Sequence, residues 1–175
     1  MTAPLRLASF LGFALLIALC ARLSVPMVPV PMTMQTWAVL LAGVILGPRW
    51  GAAAVVLYLA LALAGLPVLS DGASGPGPFT GPTAGYLFAF PLAAGLAGVL
   101  AEGGRLGRLA PATAWLFGLH LMILALGTGW LAGRIGVPAA VAAGFTPFLA
   151  GAAVKSVLVV LAARALSAVA GFRPG

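Results

Sequence analysis

Long apolar stretches separated by short breaks of glycine, proline and charge run the length of the chain. No Asp, Glu, Lys or Arg occurs from Trp50 to Ser70, Gly72 to Ala101, Leu109 to Gly133 or Ile135 to Val154. A bilayer core of about 30 Å asks for roughly 20 such residues in a helix that rises about 1.5 Å per residue. The pattern predicts six membrane helices in one domain covering residues 1–175.

Helix 1 is read from Leu7 to Ala21. It is followed by SVPMVPVP, where Pro26, Pro29 and Pro31 forbid a helix interior and predict an extended loop. Helix 2 runs from about Met34 to Leu46, short of a full span, so the loop before it is expected to dip into the membrane region. Gly47, Pro48 and Arg49 form a turn, and helix 3 covers Gly51 to about Leu63. The segment GLPVLSDGASGPGPFTGPTAG is the longest irregular one and is read as a lid. Helix 4 covers about Ala84 to Ala101, helix 5 about Ala112 to Leu131 and helix 6 about Pro147 to Ala168.

Composition sharpens this reading. The chain is 63% hydrophobic and 6% charged, which excludes an ordinary soluble domain. Its net charge of +7 would point to nucleic acid in a soluble protein. Here the basic residues are scattered in loops without a basic stripe, so they orient a membrane protein, and no nucleic-acid partner is expected. Arg6, Arg49, Arg105, Arg108, Arg164 and Arg173 fall on one side of the six-helix topology, against Arg22 and Arg134 on the other. Basic residues favour the cytoplasmic side, which places both termini there. Leu19 stands before Cys20 where a lipoprotein signal wants a small residue, so the first apolar stretch reads as a membrane helix rather than a cleaved leader.

Polar residues segregate to the opposite side. Ser24, Thr33, Gln35, Thr36, Asp71, Ser74, Thr80, Thr83, Tyr86, Thr128 and Thr146 all map to outer loops or outer helix ends. Lys155 differs, because it lies near the middle of helix 6, where a lysine costs about 2.5 to 3.5 kcal/mol on insertion scales. Two readings compete: the amine snorkels to a water-filled outer cavity, or its hydrogen-bond acceptor arrives with a ligand that carries a carboxylate or a polarised carbonyl. His120, in WLFGLHLMIL, reads as a helix–helix hydrogen bonder. Trp37, Trp50, Trp115 and Trp130 sit near helix ends, where an interfacial belt accounts for them. The spacing of Ala14 and Ala18 offers a surface for close helix approach, and is read as a contact for a partner helix.

Several chemistries are excluded. The chain has no phosphate-cradling GxxxxGK[ST], and one Cys with one His cannot build a metal site. No serine–base pair or paired aspartates can be assembled for catalysis, so no enzyme and no cofactor are expected.

The segments PVPMTMQT (Pro29 to Thr36), LLAGVILGPRWG (Leu40 to Gly51), YLALALAGLPV (Tyr58 to Val68), GPTAGYL (Gly81 to Leu87) and PFLAGAAVK (Pro147 to Lys155) occur in this order. Together they resemble the BioY family, the biotin-binding S components of energy-coupling factor (ECF) transporters. The resemblance implies a six-helix protein of the prokaryotic cell membrane that captures biotin at its outer side. It would hand biotin inward with a transmembrane coupling protein and two ATPase subunits. It also implies that Thr33, Gln35, Thr83, Tyr86 and Lys155 bind the ligand.

One position departs from the family pattern F-x-x-G-D-x-x-K: after Gly151 stands Ala152. The acid that would accept the ureido N–H groups is absent, and Thr83, a backbone carbonyl or the lid acid Asp71 is expected to take over part of that role. An S component for another vitamin, or a small secondary transporter or channel working without ATPases, are the alternatives. A secondary transporter would need a half-to-half repeat or an intramembrane acid for proton coupling, and neither is evident.

Overall fold

The computed structural model describes residues 3–105 and 107–170. Helix α1 spans Ala3–Arg22, α2 Gln35–Leu63, α3 Gly77–Thr80, α4 Ala84–Glu102, α5 Leu109–Ile135, α6 Val137–Gly144 and α7 Leu149–Ala170. Strands β1 (Ser24–Val25) and β2 (Met32–Thr33) pair antiparallel, Ser24 opposite Thr33.

α2 is two antiparallel arms rather than one rod. Gly47 takes φ 80°, ψ 176°, a conformation open to glycine, and Pro48 follows where its fixed φ starts the second arm. Two contacts prove the reversal. Gln35 Nε2 donates to the Tyr58 hydroxyl at 2.7 Å, although a continuous helix would separate these residues by about 34 Å. A Cβ placed on Gly51 would lie 2.5 Å from the Cα of Gly43, so the arms touch backbone to backbone beside the turn. Counting these arms separately, α1, both arms of α2, α4, α5 and α7 are the six expected helices. The first arm, residues 35–46, rises only about 18 Å. Its outer end is completed by the β1–β2 ribbon, which takes the place of the purely extended loop expected there.

The bundle has two distinguishable ends. At one, Phe10 meets Trp50 edge-on at 5.9 Å and the Arg164 guanidinium donates to the Gly107 carbonyl at 2.9 Å. Arg49, Arg105 and Arg108 belong to this end, which the charge rule assigns to the cytoplasm. Arg22 and Arg134 lie at the other. The side chain of Arg6 and residue Arg173 lie outside the described residues.

Two further differences from the sequence reading arise at the outer end. α5 runs on to Ile135 and stops because Gly136 takes φ 81°, and Pro138 then sits in the first turn of α6, a helix inside a stretch expected to be loop. The lid, residues 64–83, contains a helical turn at Ser70–Gly72 and the short α3. Ala14 is 4% exposed and Ala18 half-buried, and both pack against the chain's own core. The outward face of α1 is instead the leucine row Leu7, Leu11, Leu15 and Leu19. The Ala14/Ala18 pair therefore corrects from a partner contact to an internal packing seam: small side chains let α1 approach α2.

Candidate functional site

Beneath the lid at the outer end lies a cavity with about 570 Å3 of empty space, its mouth included. All five residues expected to bind a ligand, Thr33, Gln35, Thr83, Tyr86 and Lys155, line it. They come from β2, the N-terminal ends of α2 and α4, and α7, segments up to 122 residues apart. Phe90, Ile123, Leu124 and Phe148 supply an apolar wall.

Lys155 is 8% exposed. Its ammonium donates to the Thr33 carbonyl at 2.8 Å and to the Thr36 hydroxyl at 3.1 Å. Neither partner is a carboxylate. An ammonium has three protons to give, so two bonds to neutral acceptors leave one N–H for the cavity and the full positive charge uncompensated.

Thr33 and Gln35 form a small closed unit. The Thr33 hydroxyl donates to Gln35 Oε1 at 3.2 Å and accepts from the Gln35 backbone N–H at 3.3 Å. Gln35 Nε2 donates to Tyr58, whose hydroxyl donates in turn to the Val68 carbonyl at 3.2 Å. This chain links the ribbon, both arms of α2 and the lid, so the polar end of the cavity is held by the same bonds that seat its cover. Tyr58 and Thr36 were not among the expected site residues. Thr36 carried the signal in its place beside Thr33 and Gln35; Tyr58 opens one of the segments that carry the family resemblance, but nothing in the sequence pairs it with Gln35, because only the hairpin brings the two together.

Tyr86 contributes its ring and not its hydroxyl. The hydroxyl donates to the Gly144 carbonyl at 2.8 Å and lies 3.3 Å from Thr128 Oγ1, which consumes it within the fold. The ring is seated because Gly127 leaves room for it: a Cβ there would lie 2.1 Å from the Tyr86 Cδ1. Thr83 donates to the Pro78 carbonyl at 3.3 Å at the hinge between lid and α4.

Asp71 stands apart. It lines a neighbouring crevice under the lid and accepts from the Ser24 hydroxyl at 3.4 Å, and it is not among the cavity residues. Its φ of 55° is a left-handed conformation that aspartate tolerates better than most residues. The lid is stitched down on two sides. Arg22 donates to the Pro67 carbonyl, Arg134 to the Thr80 carbonyl and Trp130 Nε1 to the Gly81 carbonyl at 2.9 Å. Trp130 thus does more than mark the interface. Trp37 is not among the cavity residues, whereas His120, read from sequence as a helix–helix bonder, is.

A second crevice, larger but at the cytoplasmic end, is lined by Val44, Leu116, Val159, Val160 and Ala163 with Arg164 at its edge. It gathers few polar groups. The outer cavity, smaller and more enclosed, has the convergent polar set that marks a binding site.

The model of the BioY family matches residues 2–172. The chain belongs to the BioY family. Among relatives, it is 38% identical over 154 residues to a probable biotin transporter BioY of Pyrococcus horikoshii, covering 88% of this chain and 91% of that one. It is 39% identical over 168 residues to a biotin transporter BioY of Rhodobacter capsulatus, with 86% of each covered. A solved structure, the crystal structure of the S component for biotin from an ECF-type ABC transporter, superposes with a TM-score of 0.77 at 28% identity, over 95% of this chain and 94% of that one. This is a multi-pass membrane protein of the S-component fold, and the BioY family is one of transporters and not of enzymes.

Proposed function

We propose that this chain captures biotin at the outer face of a prokaryotic cell membrane as the S component of an ECF-type transporter. The observation that carries the proposal is the convergence of Thr33, Gln35, Thr83, Tyr86 and Lys155 on one lid-covered cavity, with a buried lysine that has no carboxylate partner among the described residues. Biotin suits that arrangement: an apolar thiophane ring, a polar ureido head and an anionic valerate tail in one small molecule. The aromatic and aliphatic wall takes the ring, and Lys155 takes an anionic or strongly polarised oxygen. Membership of the family and likeness to the biotin S component support the same ligand.

The partners are a transmembrane coupling protein and two ATPase subunits. The chain itself has no phosphate-cradling loop, so the energy for release enters through them. The test is calorimetric binding of biotin to the detergent-purified chain, with desthiobiotin and riboflavin as comparators. One-to-one, biotin-selective binding is expected. Absence of biotin binding with uptake of heat from another vitamin would reassign the ligand, and uptake that survives without ATPases but collapses with an uncoupler would reassign the transport class.

A further inference from the structure

His120 is 2% exposed, sits on α5 and lines the cavity. Its Nδ1 lies 3.2 Å from the Leu116 carbonyl one turn back and 3.0 Å from Ser156 Oγ on α7. The Ser156 hydroxyl has a single proton, and the Ala152 carbonyl at 2.7 Å takes it. A carbonyl can only accept, and a hydroxyl that has given its proton can only accept, so Nδ1 carries a hydrogen. Among the described residues no acidic side chain lines the cavity to hold a second cation beside the Lys155 ammonium, so the ring is neutral. Nε2 then bears the lone pair, and it is buried with no hydrogen-bond partner among the described residues. Buried polar atoms are nearly always hydrogen-bonded, and each exception asks for a reason.

We propose that His120 is a ligand-binding residue, its Nε2 accepting a hydrogen bond from an N–H of the bound molecule. The proposal rests on the biotin reading, since the ureido head carries N–H donors on both sides of its carbonyl. Lys155 is a donor and His120 Nε2 an acceptor on the same cavity, which is the complement of a cyclic urea with its carbonyl oxygen and adjoining N–H. Ser156 is a positioning residue: it fixes which nitrogen carries the proton and so which one is offered to the ligand. The side chain at 152, a methyl, offers no acceptor, and the ring nitrogen fills that chemical role from the neighbouring helix.

The chain contains a single histidine, so labelling with ¹⁵N-histidine yields one imidazole pair without assignment. In the detergent-purified wild type, the unprotonated Nε2 resonance is expected to move strongly toward the protonated range when biotin is added, while Nδ1 barely moves. An unmoved Nε2 signal under saturating biotin overturns the proposal and leaves the biotin reading intact. The second arm compares biotin with its two cyclic carbamate analogues, in which a ring oxygen replaces one or the other N–H. Wild type is expected to bind one of them at least about tenfold more weakly than biotin, as loss of a buried hydrogen-bond partner implies. His120→Phe should lose that discrimination, and His120→Gln, whose side-chain oxygen can accept, should restore part of it. Equal affinity of wild type for all three ligands refutes the proposal, whether or not the phenylalanine variant folds. If the wild type binds no biotin at all, both the proposal and the reading beneath it fall.

Discussion

Replacing Lys155 by methionine keeps most of the length of the side chain and removes its charge, which separates binding from folding. In the folded protein the ammonium makes two bonds, to the Thr33 carbonyl at 2.8 Å and the Thr36 hydroxyl at 3.1 Å. Each hydrogen bond to a charged group is worth about 1.5 to 3 kcal/mol, so their loss destabilises by roughly 3 to 6. Against this, placing a lysine deep in a membrane helix costs about 2.5 to 3.5 kcal/mol, which methionine avoids. The terms offset in part, and the net change is expected to lie between about zero and a loss of about 3.5 kcal/mol. Binding has no such offset. The third N–H has no partner until ligand arrives, and one charge-assisted bond of about 1.5 to 3 kcal/mol corresponds to roughly a 10- to 150-fold loss in affinity. Calorimetry with biotin and thermal melting in the same detergent give both quantities. Affinity within threefold of wild type, with an unchanged melt, would refute the assignment of Lys155 to the ligand.

Other substitutions probe the scaffold. Gly127→Ala should lower the melting temperature, because its Cβ would stand 2.1 Å from the Tyr86 ring and overpacking costs about 1 to 3 kcal/mol; Gly129→Ala, with open space around it, should be neutral or slightly stabilising. Asp71→Asn should alter biotin affinity by less than about threefold, since the carboxylate is outside the cavity, and a tenfold loss would show that the lid acid reaches the ligand after all. Trp130→Phe removes the bond to the Gly81 carbonyl, worth about 1 kcal/mol, and should speed biotin release several-fold in a chase experiment while leaving the association rate almost unchanged; an unaltered release rate would mean that this stitch does not hold the lid. Tyr58→Phe cuts the link from Gln35 to the Val68 carbonyl and is expected to cost about 1 to 3 kcal/mol, measured by thermal unfolding, with no effect if the Gln35 amide is satisfied elsewhere.

Much of this protein could be read without coordinates because the bilayer constrains a chain so severely. Uninterrupted apolar runs can only become helices where backbone groups have no water to bond, so six spans, their order and the arginine-rich end followed from the apolar stretches together with the glycine, proline and arginine breaks between them. The Gly47–Pro48 turn was legible for the same local reason, a residue free at positive φ followed by one that starts helices. Thr33, Gln35, Thr83, Tyr86 and Lys155 stood out as polar groups in an apolar chain and in segments that resemble a family. Their number in one cavity is a consequence of the fold.

Tertiary structure decided what each of these groups does. Only the hairpin of α2 brings Tyr58 to Gln35, residues far apart along the chain, and only the packing of α5 on α7 sets His120 against Ser156, a serine–histidine pair that the sequence reading did not foresee and whose serine proton goes to the Ala152 carbonyl. Tyr86, which the family resemblance offers as a ligand contact, gives its hydroxyl to the Gly144 carbonyl on a helix invisible in the apolar pattern and leaves only its ring to the cavity. Ala14 and Ala18 turned inward because two faces of a membrane helix can be equally apolar, so hydropathy does not tell lipid from neighbour. Local propensity and solvent determine which residues cross the membrane; the choice of hydrogen-bond partner depends on distances between helices, and those are set by packing of the whole bundle.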